Sequence, residues 1–175
     1  MNFTLSRTIE VLEQTPATLR ALLGNLSEFW TLNNYGEKTF SPFDVVGHLI
    51  HAERTNWLPR LRCILERGES QPFPLFDRYA MYETSRGKTM GILLEEFAAI
   101  RAQKLETLRG MNVTDSQLDQ RGTHPDFGAV TARQLLSTWT VHDLNHLSQI
   151  AKSMAFQYRQ DVGPWRAFLS ILPRS

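Results

Sequence analysis

The sequence predicts an all-α protein, an antiparallel four-helix bundle with short additional helices, in a single domain over residues 1–175. Three observations predict it. Long segments carry apolar residues three and four apart, the spacing of one helix face. Several of these segments begin on residues that cap a helix N-terminus. No run alternates apolar and polar residues between turn signals, so no strand is expected.

The first segment, from about residue 6 to 14, places Ile9 and Leu12 on one face. Thr15-Pro16 then reads as a cap followed by proline at a first helical position. A second short helix carrying Leu19, Leu22, Leu23 and Leu26 is expected from there. Asn33-Asn34-Tyr35-Gly36 is loop composition. Ser41-Pro42-Phe43-Asp44 is a strong helix start, with serine as N-cap, proline at the next position and an acid in the first turn. The helix it opens carries His48, Ala52, Thr55 and Trp57. Pro59 either kinks this helix or ends it and starts another, because it lacks an N–H and its ring crowds the preceding turn. Leu61, Ile64 and Leu65 continue the pattern, and Gly68 is the expected stop.

Residues 69–87 read as irregular, broken by Pro72 and Pro74 and rich in aromatics: Phe73, Phe76, Tyr79 and Tyr82. A loop of this length inside a compact domain is uncommon. It either packs its rings over the bundle end or serves as a lid on a substrate site. Residues 89–108 form the next long helix, with Leu93, Phe97, Ile100, Leu105 and Leu108 apolar and Gly110 at its end. One short turn is expected at 115–118. Residues 122–130, containing His124, Pro125 and Gly128, are expected to be a loop. Thr131-Ala132-Arg133-Gln134 matches a capping box. It opens a helix to about residue 156, and a short last helix follows over 164–172.

Composition narrows the function classes. The 19 basic and 18 acidic residues leave a net charge of +1, and no dense Lys/Arg stripe supplies a field for nucleic acid. The longest apolar runs are a few residues, far short of the ~20 needed to cross a bilayer, so no membrane partner is expected. The N-terminus has no basic region followed by an apolar run, and the single cysteine, Cys63, has no partner for an internal disulfide. A cytoplasmic, reducing setting is therefore expected. Cys63 reads as a small packing residue, with a reactive thiol beside Arg62 as the alternative. No glycine-rich phosphate loop and no Gly-x-Ser-x-Gly elbow is present.

The chemistry concentrates in histidines. His142 and His146 lie four apart on an apolar stripe with Leu135, Leu136, Trp139, Ile150 and Met154. Residues at i and i+4 sit one above the other on a helix, so two imidazoles there can share one cation. His48 lies in a second apolar helical stretch, Val45-Val46-Gly47-His48-Leu49-Ile50. Three buried imidazoles would each need a hydrogen-bond partner, and one shared cation satisfies all three. Three protein ligands leave a coordination position open, the arrangement used for catalysis. The alternative is that the three are ordinary core histidines.

Around them stand weaker candidates for proton transfer. His51, three residues after His48, reads first as a surface histidine, with a fourth ligand or a proton shuttle as alternatives. Glu53 faces away from His48 and is structural unless it reaches a neighbouring helix. Asp143 points about 100 degrees from His142 on an ideal helix. It is expected to be a solvated or dimer-face acid, with orientation of an imidazole as the alternative. His124 is a candidate to overhang the site from its loop.

The blocks Ser41 to Arg54, Trp57-Leu58-Pro59-Arg60-Leu61 and Val130 to Ile150 together resemble the DinB-like (DinB/YfiT) superfamily of small metal-dependent enzymes. The tail segments Gln157-Tyr158-Arg159 and Val162-Gly163-Pro164-Trp165 share the likeness, which covers most of the chain. The resemblance implies a four-helix bundle, often a homodimer. It implies a divalent metal, most often nickel or zinc, held by one histidine of the second helix and a His-x-x-x-His pair of the last. The matching positions are His48, His142 and His146. It further implies a thiol transferase using a low-molecular-weight bacterial thiol such as bacillithiol or mycothiol, or a hydrolase, acting on a small electrophilic substrate. The alternative is a non-catalytic, stress-related bundle that binds metal or dimerises without chemistry.

Overall fold

A computed structural model describes residues 3–172. Four helical columns make the bundle. The first is α1 (Leu5–Leu23), preceding a single turn, α2 (Glu28–Thr31). The second is α3 (Pro42–Thr55) followed by α4 (Trp57–Arg67). After α5 (Met81–Thr84) come the third, α6 (Met90–Gly110), and a turn α7 (Asp115–Leu118). The fourth is α8 (Ala132–Gln157), and a 3₁₀ segment at Gly163–Phe168 follows it.

Local chemistry sets most boundaries as expected. The Ser41 hydroxyl accepts from the Asp44 N–H and the Asp44 carboxylate accepts from the Ser41 N–H, a complete capping box. Thr131 and Gln134 form the same pair at the start of α8, and Thr89 caps α6. Gly68, at φ +58, ends α4. The break expected from Pro59 falls at Asn56, where α3 stops and α4 begins.

Two expectations are corrected. Thr15-Pro16 does not begin a helix: α1 runs unbroken with Pro16 inside it. Proline removes the N–H that would bond to the Leu12 carbonyl. That carbonyl instead accepts from Arg101 Nη1 at 2.9 Å, so the cost of the proline is offset from another helix. Residues 122–130 are not a plain loop either. They contain an antiparallel hairpin, β1 (Arg121–His124) paired with β2 (Gly128–Thr131). The strands are four residues long, too short to show alternation, and Gly128 supplies the positive φ that the turn requires. A Cβ at Gly122 would lie 2.7 Å from Ile64 Cγ1 and 2.9 Å from Phe73 Cε1, so this glycine lets the hairpin lie against α4.

Two clusters fill the core. One end packs Ile9, Leu12, Leu105, Leu108, Leu136 and Trp139 with Ala52 and Leu61. The other packs Leu19, Leu23, Val46, Leu49, Phe97 and Ile150. Their membership shows the directions: α1 and α8 run one way, α3 and α6 the other. Around the bundle the order is α1, α6, α3, α8, so α3 lies beside α6 in parallel. Parallel neighbours need a connection that returns along the bundle. The long segment through α4 and α5 is that return.

At the centre, one buried cation ties all four columns. Arg101 of α6 donates from Nη1 to Asp143 Oδ2 at 2.6 Å and from Nη2 to Asp143 Oδ1 at 3.1 Å. Its Nη2 also donates to Glu53 Oε1 of α3 at 2.8 Å. Trp139 Nε1 donates to the same Glu53 oxygen at 2.9 Å, and the Thr15 hydroxyl donates to Asp143 Oδ2 at 2.7 Å. Every member is buried. No helix of the described residues is long and apolar enough to cross a membrane.

Candidate metal centre

His48 comes from the middle of α3, His142 and His146 from successive turns of α8. Their Nε2 atoms converge: His142 to His146 at 3.1 Å and His142 to His48 at 3.3 Å. One ligand nitrogen from each lies within 4.8 Å of the others. The edge of a tetrahedron with zinc–nitrogen bonds of 2.0–2.1 Å is about 3.3 Å, so the spacing fits one divalent ion.

The proton arrangement supports the same fit. Gln149 Oε1 lies 2.8 Å from His146 Nδ1, which places the His146 proton there and leaves Nε2 a lone pair. His142 Nε2 then faces two imidazole nitrogens and has one hydrogen at most to share. Burial, followed by the neighbouring His146, pushes the His48 pKa down to about 4. Burial, then His146 and His48, push that of His142 down to about 2. Burial also lowers His146, opposed by Gln149 and Asp143. All three are therefore neutral near pH 7, the form that ligates a cation.

An aromatic shell surrounds them. Phe40 and Phe76 pack on His48 at centroid distances of 5.7 and 5.6 Å, and Trp57 meets His142 edge-on at 5.0 Å. The cluster opens into a cavity of about 880 Å³. The aromatic segment packs on the bundle, the first of its two expected roles, and also borders the cavity. Phe73 is buried against the bundle, its N–H donating to the Thr123 carbonyl at 2.9 Å, while Leu75 and Phe76 form part of the cavity wall. His124 does reach the cavity, stacked on Phe127 at 4.4 Å, although it lies outside the three-imidazole cluster.

The proton-transfer candidates are placed elsewhere. Asp143 is fully buried rather than solvated or on an outer face, because Arg101 and Thr15 neutralise and bond its carboxylate. Glu53 does reach neighbouring helices, to Arg101 and Trp139, and burial raises its pKa against the pull of Arg101. His51 is half-buried against Phe76 at 5.1 Å and stands outside the cluster. None of the three lines the cavity. What Glu53 and Asp143 do is geometric: they hold α3 and α8 to one guanidinium, close to the turns that carry the imidazoles. Cys63 is partly buried, with Sγ 3.7 Å from the Gln71 carbonyl.

Sequence reading missed Arg101, Gln149 and Arg60. Arg101 was within reach, since it continues the Phe97, Leu105, Leu108 face and so had to be buried. Gln149, one turn after His146, carried a similar signal.

A family model described as the DinB superfamily matches residues 11–150. The chain belongs to the DinB superfamily. Among solved structures, this DinB-superfamily chain is similar to YfiT from Bacillus subtilis, with TM-score 0.72 and 21% identity over 92% of this chain and 91% of that one. YfiT is described as a probable metal-dependent hydrolase with an unusual four-helix bundle topology. The chain is also similar to TT2238, a four-helix bundle protein, with TM-score 0.56 and 21% identity over 86% of this chain and 100% of that one. No curated protein matches the chain. At these identities the likeness to the two structures carries the fold.

Depressed histidine pKa values make the metal-free protein sensitive to acid. Between the ordinary 6.5 and about 4, the unfolded chain binds a proton at His48 that the folded chain refuses. Stability therefore falls as pH drops through that window, and no loss arises from this group above it. Thermal melts of chelator-treated protein are expected to fall from about pH 6.5 to 5, more steeply than those of His48→Gln. Parallel slopes for the two proteins would contradict the assignment.

Proposed function

We propose that this chain is a metal-dependent enzyme that transfers a thiol to, or hydrolyses, a small electrophilic substrate. One observation carries the reading: three neutral imidazoles converge at the wall of a cavity large enough for a small molecule, with no fourth protein ligand among the described residues. His48, His142 and His146 would hold the ion, nickel or zinc by the family resemblance, and imidazole nitrogens suit both. A divalent ion supplies Lewis acidity there, lowering the pKa of the protic nucleophile that binds it. The chain's own contribution is to keep the imidazoles neutral, to hold the His146 tautomer through Gln149 and to wall the site with aromatic rings. YfiT, described as a probable metal-dependent hydrolase, supports the hydrolytic branch.

The same reading takes a low-molecular-weight bacterial thiol as co-substrate and a homodimer in the cytoplasm as the working form. Val141 and Leu144, exposed on the outer face of α8, support the dimer.

Elemental mass spectrometry of untagged protein is expected to find about one divalent ion per chain. In a cobalt-substituted sample, azide and a bacterial thiol at millimolar concentration are expected to shift the visible bands, since a coordination position is open. Folded protein free of metal overturns the reading. Cobalt bands indifferent to every thiol tried, yet moved by azide, leave hydrolysis and remove thiol transfer.

A further inference from the structure

Three cations line the cavity, and each rests on an aromatic ring. The Arg60 guanidinium lies 5.2 Å from the centroid of Phe73. Arg78 lies 5.7 Å from that of Phe40, and the Lys152 ammonium 4.9 Å from that of Tyr35. Among the described residues none of the three has a carboxylate within ion-pair distance. The acid on the cavity wall is Asp126, which is largely exposed and sits 3.9 Å from His124 Nδ1. With the imidazoles neutral, the wall carries three positive charges against one negative.

Arg60 differs from the other two. Arg78 and Lys152 are exposed, whereas Arg60 is 8% exposed. Its Nη2 donates to the Pro74 carbonyl at 3.3 Å. A guanidinium has five N–H donors, and this bond uses one. The remaining nitrogens are not sealed in the protein, and the residue lines the cavity. Arg60 sits one turn of α4 beyond Trp57, whose ring touches His142. Asp126 attracts this guanidinium only from beyond ion-pair distance. Burying a cation without a close anion is costly, and a planar fork matches a carboxylate through two parallel hydrogen bonds.

We propose that Arg60 is an anion subsite of this cavity, selecting substrates that join a carboxylate to an apolar body sized for the aromatic wall. The proposal rests on reading the cavity as the substrate site, and it requires no metal.

The test compares phenylacetate with its neutral isostere phenylacetamide, by calorimetry, on the protein as purified and again after chelation. The expected result is about a tenfold preference for phenylacetate in both samples, the value of one charged hydrogen-bonded contact. Arg60→Gln is expected to remove the preference. Arg60→Lys, which keeps the charge without the fork and serves if the glutamine variant fails to fold, is expected to reduce it to about threefold. Equal binding of the two probes overturns the proposal, as does a full preference in either variant. A preference that disappears on chelation also overturns it, because the carboxylate then sits on the metal. Purified protein without metal would sink the enzyme reading while leaving the Arg60 preference measurable.

Discussion

Replacing Arg101 by methionine is expected to cost about 3–5 kcal/mol of folding stability, measured by urea denaturation. Methionine fills much of the same volume but leaves the Asp143 and Glu53 carboxylates buried without a cation, and the Leu12 carbonyl beside Pro16 without a donor. A typical domain has about 5–15 kcal/mol in all, so this single change removes a large share of it. The loss belongs to stranded charge rather than to the ion pair as such. Adding Glu53→Gln and Asp143→Asn to Arg101→Met should therefore recover a large part of it. The recovery is incomplete because Trp139 Nε1 and the Thr15 hydroxyl must find uncharged acceptors. An Arg101→Met protein within about 1 kcal/mol of wild type would mean the network is not stabilising the bundle centre.

His142→Ala is expected to change stability little without metal and to lower it strongly with metal. In chelated protein the His142 Nδ1 is buried without a hydrogen-bond partner among the described residues, and its Nε2 meets two other imidazole nitrogens. Removing that ring leaves a cavity but relieves an unsatisfied polar group, so the melting temperature changes little. With zinc the wild type gains RT ln(1 + [Zn]/Kd), about 4 kcal/mol at a thousandfold excess over Kd. The variant loses one of three ligands and weakens binding by more than about 100-fold, since changes one layer farther out already cost 10–100-fold. Melts of both proteins with zinc and with chelator measure this directly. The same difference between the two proteins in both conditions would make the histidines core residues rather than ligands.

Much of the bundle was legible because the helix signals here are local. Ser41 and Thr131 cap the two helices that carry the imidazoles, and each cap is a hydrogen bond between residues three apart. The histidine pair at 142 and 146 is equally local, being one turn of one helix. Where local rules met a distant partner they misled. Pro16 looked like a helix start because no nearby residue can satisfy the Leu12 carbonyl, and the group that does so is on α6. The hairpin at 121–131 was missed because its strands are too short for a pattern and are held by Phe73 and Ile64, distant in sequence.

By itself the sequence determined the helical class, the main caps and the His142/His146 pair on one helix face, since periodicity and capping depend only on neighbours along the chain; bringing His48 to that pair, 94 residues from His142, was the work of the tertiary structure. The tertiary structure decided which helices lie side by side and which run parallel. It turned Asp143 inward and Glu53 across the bundle to one arginine, and it left Arg60 on the cavity wall with no carboxylate within ion-pair distance among the described residues. These depend on burial and on partners 40 to 130 residues away, and the pairing of a buried charge is set by whatever group the fold brings within hydrogen-bond reach.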